Sequence, residues 1–253
     1  MSKGIFSSQS CILRQISQKL KEDIDLKKVC KRLSYHLDKP DLEARITNSH
    51  IQSVCRSFNK NTLNINDPSD VFKQYAKKME GLSKVRDGSK NKWVTGYDTL
   101  NIIAVTKQNQ ELFLKPVISE LFSYKQEVDT LKNILFVHLV SIIISRNNKG
   151  VFVFAREYGD KKMYSFFEEN NASFIIRSNA TRDLYYHGCK MKFKEVVKEV
   201  NLSHVFKIRK KTRKRRIEEK TVYAGITDVK IPVDPHPRKQ TKLVSTKLFV
   251  GRY

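Results

Sequence analysis

Apolar residues recur every three or four positions through the first 60 residues, which is the spacing of one face of a helix. They form three groups, and each group predicts a helix. The groups are Ile12, Ile16 and Leu20; Leu26, Val29, Cys30, Leu33 and Leu37; and Ile51, Val54, Cys55 and Phe58. Asp25 is well placed to cap the second helix, and Lys39-Pro40-Asp41 predicts a break before the third. Residues 1–60 therefore form a predicted helical region.

From residue 61 the period changes to the alternation of strands. Three segments show it: TLNIND (62–67), WVTGYDTLNIIAVT (93–106) and ELFLKPVI (111–118). We expect the first strand to end at Asp67. The stretch between the first two strands, residues 67–91, contains one short helical pattern and several Gly, Ser and Asp residues. A long loop that begins at an acidic strand end often contains functional residues.

The next segment predicts the longest helix of the chain, from Ser123 to Arg146. Ser123 and Gln126 have capping-box spacing, and one face carries apolar residues. That face is Val128, Leu131, Leu135, Leu139 and Ile142. We expect the neighbouring His138 to pack in the core.

Two further strands are predicted, with a helix between them. VFVF (151–154) reads as a buried strand, the helix after Asp160 carries apolar residues on one face, and ASFIIRS (172–178) reads as the next strand. The order of elements is β-β-β-α-β-α-β, so the fold class is α/β. A right-handed crossover would set the first and fourth strands side by side and parallel.

The segment after residue 178 has a different character. It contains a basic run, KIRKKTRKRR (207–216), and two strand-like pieces, which predict an antiparallel β-rich region. Residues 207–253 hold 15 basic and 4 acidic residues. We therefore divide the chain into residues 1–60, 61–178 and 179–253.

The chain as a whole has a formal charge of +23, from 49 Lys and Arg against 26 Asp and Glu. Such a charge repels itself unless a polyanion is bound, which makes nucleic acid the first partner to consider. The longest apolar stretch, from Ile134 to Ser145, is too short to span a bilayer. These features predict a soluble, cytoplasmic, DNA-associated protein with no membrane partner.

The ends of the first and fourth strands are the predicted site, because ligands bind at the carboxyl ends of strands where the strand order switches. Asp67 ends the first strand and Ala155 ends the fourth. Carboxylates at both positions could hold two Mg²⁺ or Mn²⁺ ions for phosphoryl transfer. Because Ala155 has no carboxylate, half of that arrangement is missing.

Two segments resemble insertion-sequence DDE transposases of the family-four class. They are DPSDVFKQYAKKMEGLSKVRDGSKNKWVTGY and FVFAREYGDKKMYSFFEENNASFIIRSNATRDL. The resemblance implies an RNase H-like mixed five-stranded core, an N-terminal helical domain that recognises DNA ends, and a C-terminal β-rich insertion domain. It also implies metal-dependent cleavage and strand transfer in intact relatives.

The resemblance also assigns residues to this site. Asp67 matches the first catalytic acid and metal ligand, accompanied by Asp70 and Asp87. Ala155 stands where the second acid belongs, beside the retained Arg156, and the third acid would lie on a helix beyond the final residues LFVGRY. Asp160 fits a helix cap better than it fits a replacement ligand, and Glu157 lies two residues beyond Ala155.

Basic residues supply the expected contacts to DNA phosphates. Arg177 closes the last core strand, Arg182 lies just beyond it, and the basic run supplies the rest. From that run the candidates are Lys210, Lys211, Arg213, Lys214, Arg215 and Arg216. A solvated basic surface is the simpler alternative for these residues.

The sequence therefore predicts a transposase-like protein that binds double-stranded DNA, at transposon ends, with impaired cleavage. A regulatory DNA-binding protein or a decayed transposase fragment is the alternative. Partners would include a second copy, as a homodimer, or a full-length transposase, and the expected location is the nucleoid of a bacterial cytoplasm. The N-terminal helices either recognise DNA ends or pack on the core.

Overall fold

The structure of the protein is a computed structural model. It describes residues 2–73, 75–76, 78–87, 91–109, 111–123, 131–155, 158–211, 217–233 and 242–252. The chain divides into two compact units, Met1–Val54 and Cys55–Tyr253. Within the described ranges, no helix is both long and apolar enough to cross a membrane.

The first unit is helical. The helices that begin in it are α1 (Ser2–Ser8), α2 (Leu13–Leu20), α3 (Leu26–Leu37) and α4 (Leu42–Cys55). The cap at Asp25 is confirmed, because its carboxylate accepts hydrogen bonds from the backbone N–H groups of Lys27 and Lys28 at 2.9 and 3.2 Å. Ile16, Val29 and Leu33 form a small core, as the periodicity predicts, whereas α1 was not anticipated.

The second unit contains a mixed sheet, the first sheet. Its strands are β1 (Leu63–Phe72), β2 (Ser83–Asp87), β3 (Lys92–Gln108), β4 (Glu111–Phe122), β5 (Val151–Phe154) and β6 (Ser173–Ile176). The order is β2-β3-β1-β5-β6, and β4 also pairs with β3. The strands β1, β2 and β4 pair with β3 in antiparallel fashion, while β5 is parallel to both β1 and β6. The expected parallel pairing of the first and fourth predicted strands is confirmed.

Two expectations about β1 and the segment after it are wrong. The strand does not end at Asp67, because β3 continues to pair with it as far as Phe72, opposite Gly96. A side chain at Gly96 would bring its Cβ to 2.2 Å from the carbonyl oxygen of Val71, so glycine permits this close approach. The described part of residues 67–91 contains the strand β2 rather than a helix.

Helices α5 (Leu131–Arg146) and α6 (Lys161–Glu169) cover one face of this sheet. Phe154 contacts Phe136 of α5 and Phe167 of α6, with ring centroids 5.0 and 5.2 Å apart. The face of α6 that carries Met163 and Tyr164 is buried, as predicted.

The prediction for α5 is only partly right. Among its described side chains the buried ones are Phe136, Leu139, Val140 and Ile143, and of these only Leu139 belongs to the predicted face. His138 is exposed, so the expectation that it packs in the core is wrong. Gln126 and Val128 lie outside the described residues.

The opposite face of the first sheet, the open face, carries exposed apolar side chains. Leu63 and Ile65 of β1 are each 37% exposed, and Ile175 of β6 is 55% exposed. Side chains alternate between the two faces of a strand, so Asp67 also belongs to the open face.

A second sheet follows. Its strands are β7 (Asp183–Tyr186), β8 (Cys189–Lys192), β9 (His204–Lys211), β10 (Ile217–Val233) and β11 (Lys242–Arg252), with the helix α7 (Phe193–Glu199) after β8. All pairs are antiparallel, as predicted, and the strand order is β11-β10-β7-β8 with β9 on β10. Val196 of α7 packs on one face, against Leu184, Val229 and Leu248. A Cβ at Gly225 would lie 2.2 Å from the carbonyl oxygen of Asn201.

Candidate functional site

The candidate site lies where the parallel pairing of β1, β5 and β6 stops, at the carboxyl ends of β5 and β6 and midway along β1. Asn66, Phe154 and Ile176 occupy the same level of β1, β5 and β6. The next residues along these strands are Asp67, Ala155 and Arg177, and all three are exposed.

The backbone N–H of Arg177 donates to the carbonyl oxygen of Phe154 at 3.3 Å, which keeps the two strand ends in register. Asp67 and Ala155 each directly follow the last pair of the β1–β5 register, Asn66 with Phe154. The guanidinium of Arg177 belongs to the same edge, one strand further on.

The Asp67 carboxylate is the acid of this edge. Among the described residues, no hydrogen bond or ion pair engages it. Asp70 lies three positions further along β1, so alternation puts it on the opposite face, and Asp87 is buried at the end of β2. These two acids therefore do not join Asp67 on the open face.

A network of hydroxyl and amide groups adjoins Asp67, and the sequence did not point to it. Asn101 is the Cα partner of Asp67 on β3. Its amide nitrogen donates to Ser69 Oγ at 3.1 Å and to Thr99 Oγ1 at 3.0 Å, and its amide oxygen accepts from Ser119 Oγ at 2.8 Å.

The hydroxyl groups complete this network. Thr99 Oγ1 donates to the carbonyl oxygen of Ser69 at 3.0 Å and lies 2.8 Å from Ser69 Oγ. Because the Thr99 hydrogen is used in the first bond, the second is donated by Ser69. Both amide hydrogens of Asn101 are then used, and the side chain beside Asp67 is held in one orientation.

The donor set does not fit a two-metal centre. Asp67 supplies one carboxylate, Ala155 supplies none, and the amide oxygen of Asn101 already accepts a hydrogen bond. No group of three or more His, Cys, Asp or Glu side chains within the described residues could hold a metal ion. We therefore derive no chemical step that passes through a bound metal.

The residues around Ala155 have other roles or cannot be described. Asp160 is the N-cap of α6, and its carboxylate accepts from the backbone N–H of Met163 at 2.8 Å, as predicted. Arg156 and Glu157 lie outside the described residues.

Arg182 lies between the two sheets and shares a hollow with Arg177. This hollow has a volume of about 940 Å³, and apolar side chains from β6 and the second sheet line most of it. The Arg182 guanidinium lies 5.0 Å from the centre of the Tyr164 ring, a cation–π contact. Burial raises the pKa of Tyr164, and the charge of Arg182 opposes that rise.

The basic run begins inside a strand. Residues 207–211 belong to β9, where Lys207 Nζ lies 2.9 Å and Arg209 Nε 3.7 Å from the carboxylate of Glu219. The backbones of Lys210 and Lys211 pair with Glu218 and Ile217 of β10. The remaining candidates of the run, Arg213, Lys214, Arg215 and Arg216, lie outside the described residues.

Comparison with known proteins does not identify the chain. No protein-family model matches it, and no curated protein matches it.

Proposed function

We propose that this protein is a transposase-like DNA-binding protein with an RNase H-like core and an impaired ability to cleave DNA. The order of the first sheet supports the core assignment: β4, β3 and β1 form an antiparallel meander, and β5 and β6 continue in parallel with β1. Helices α5 and α6 make the crossovers, as parallel strands require.

The observation that carries the proposal is the parallel register of β1 and β5, whose last pair, Asn66 with Phe154, comes directly before Asp67 and Ala155. In two-metal phosphoryl transfer, carboxylates on neighbouring strand ends hold the ions that stabilise the attacking and leaving oxygens. Ala155 has no ligand atom in its side chain, so one of those carboxylates is missing. DNA binding does not depend on it.

The charge of the chain supports duplex DNA as the partner. A net charge of +23 attracts a polyanion, and the basic run together with Arg177 and Arg182 supplies groups that bind phosphates. Recognition of transposon ends, and assembly with a second copy or a full-length transposase, belong to the same proposal.

Binding and cleavage are tested separately. The purified chain should shift a labelled duplex in a gel, and its affinity should fall steeply between about 50 and 200 mM salt. Supercoiled plasmid incubated with the chain and Mg²⁺ or Mn²⁺ should remain intact. Robust nicking by the unmodified chain would refute the claim of impaired cleavage.

The substitution Ala155→Asp tests the register directly. It would set two like charges on neighbouring strands, which costs roughly 0.2 to 1 kcal/mol without a counterion. We expect Mg²⁺ to raise the melting temperature of A155D and to leave that of the neutral control A155N unchanged. Equal responses of the two variants would show that Asp67 and residue 155 do not form one site.

A regulatory DNA-binding protein is the second candidate, and the lone carboxylate at the candidate edge favours it. Such a protein would compete for DNA ends without cutting them. Selection from a pool of random duplexes should then enrich one sequence. A chain that binds only phosphates would enrich none and would lose its binding at high salt.

A further inference from the structure

The face of the second sheet that points away from α7 is basic and carries aromatic rings. Side chains along each strand alternate between this face and the buried one. We call it the lysine face. Its charged, polar and aromatic members are Asp183, Tyr185, Lys190, Lys192, Asp228, Lys230, Ser245, Lys247 and Phe249, and it also carries Ile226, Pro232 and Leu243.

Strand register aligns the centre of the lysine face. Lys230 of β10 pairs with Ser245 on one side and with Tyr185 on the other, and Tyr185 pairs with Lys190 of β8. Lys190 and Lys230 therefore flank Tyr185 at a separation of about 10 Å, twice the spacing between strands. Phe249 is 59% exposed on the same face.

The cations of this face outnumber the anions. Asp183 engages Lys192 and Lys190, at 2.5 and 3.4 Å. Lys230 and Lys247 are exposed and form no ion pair with any described residue. These two lysines are therefore free to bind an anion.

Two hollows meet at Tyr185. One, of about 390 Å³, is also lined by Lys161, Arg182 and Lys190. The other, of about 780 Å³, is also lined by Lys230, Ser245 and Lys247. Half-buried Tyr185 thus lines both recesses. Each recess is bordered by at least two cations and by one carboxylate, Asp183 in the first and Asp228 in the second.

We propose that the lysine face binds single-stranded DNA, with a base stacked on Tyr185 and phosphates beside the lysines. A base in a duplex is already stacked on its neighbours, whereas an unpaired base can stack on an aromatic side chain of a sheet. The lysines supply the positive charge that the backbone of the strand requires. The choice of DNA over RNA rests on the proposed function. The geometry of the face supports a single strand of nucleic acid independently of that function.

Fluorescence anisotropy of the full chain with labelled oligothymidylate tests this site. Tyr185→Leu should weaken binding at least about fivefold, and Tyr185→Phe, which keeps the ring, should retain it. The double variant K230E/K247E should weaken binding about tenfold or more and should lower the salt dependence. The matched control is K84E/K107E, which makes the same charge change at two exposed lysines of the first sheet and should stay within about threefold of the unmodified chain.

Different results would overturn different parts of the proposal. Equal losses in K230E/K247E and K84E/K107E, or full affinity in folded Tyr185→Leu, would overturn the proposal. Oligouridylate binding about tenfold tighter than oligothymidylate would overturn the assignment to DNA. Circular dichroism checks folding, and the comparison of K230E/K247E with K84E/K107E still tests the face if the leucine variant unfolds. If the unmodified chain bound oligothymidylate but not duplex DNA, the proposed function would be refuted and the proposal for the lysine face would still hold.

Discussion

Replacing Asn64 by leucine should stabilise the second unit. Asn64 is fully buried on the helix-covered face of the first sheet, between Ala104 and Phe152 on the neighbouring strands. Neither its amide oxygen nor its amide nitrogen has a hydrogen-bond partner among the described residues. Leucine has the same number of side-chain heavy atoms and the same branching, so it presents a similar shape without polar atoms.

The expected change in the free energy of unfolding combines two stabilising effects and one destabilising effect. A buried amide without partners costs about 1 to 3 kcal/mol, and burying a leucine side chain gains about 1.5 to 3 kcal/mol. The methyl groups of leucine are larger than the amide oxygen and nitrogen, and the resulting crowding costs about 1 to 3 kcal/mol. The net expectation is a gain of about 2 kcal/mol in the free energy of unfolding, or a rise of about 4 to 8 °C in Tm.

Urea unfolding followed by the fluorescence of Trp93 measures this change. Trp93 is the single tryptophan of the chain and lies in the second unit, so it reports on that unit. The matched control is Asn101→Leu, which makes the same change where the amide forms three hydrogen bonds and should cost about 1 to 3 kcal/mol. If Asn64→Leu destabilised the protein as Asn101→Leu does, the reasoning about the unpartnered amide would be refuted.

Three further predictions concern single side chains. Gly225→Ala should cost about 1 to 3 kcal/mol in urea unfolding because its Cβ would clash with a backbone carbonyl, whereas Gly251→Ala, whose Cβ would make ordinary contacts, should be nearly neutral. Asp160→Ala should cost about 1 kcal/mol through loss of the α6 cap, and Asp160→Asn should restore most of it. Burial raises the pKa of Cys55 to about 11, so native alkylation at neutral pH, followed by mass spectrometry, should be at least about 100-fold slower at Cys55 than at exposed Cys11. Because the folded state holds that proton more tightly, stability should also fall as the pH rises from about 9 towards 11.

Local patterns predicted the elements whose signals lie within a few residues of one another. The cap at Asp160 and the buried face of α6 are of this kind. The buried side of α5 was missed because that helix is apolar around most of its circumference, so periodicity cannot select a side. Asp67-Pro68 reads as a turn, yet pairing with β3 carries β1 through it, so tertiary context overrides the local preference.

In the candidate site, too, some features could be predicted from the sequence and others depend on tertiary pairing. The parallel pairing of β1 with β5 could be predicted because the right-handed crossover leaves few arrangements for the parallel strands. The hydroxyl and amide network could not, because it joins Ser69 to residues 30 and 32 positions away. Serine, threonine and asparagine within strands are common, and only the antiparallel register shows which of them meet.

The two proposed binding surfaces are joined by a short segment, which gives them a testable relation. Arg177 at the candidate edge and Tyr185 on the lysine face are eight residues apart, so their Cα atoms are separated by at most about 29 Å. A DNA duplex held at the edge could therefore place a single-stranded extension of several nucleotides on the lysine face. A duplex with such an extension should bind more tightly than the blunt duplex or the isolated strand, because the second contact becomes intramolecular. Anisotropy measurements should show this gain in the unmodified chain and its loss in K230E/K247E, with blunt-duplex binding retained. If the extended duplex bound no more tightly than the better of the blunt duplex and the isolated strand, the two surfaces would not bind one DNA molecule together.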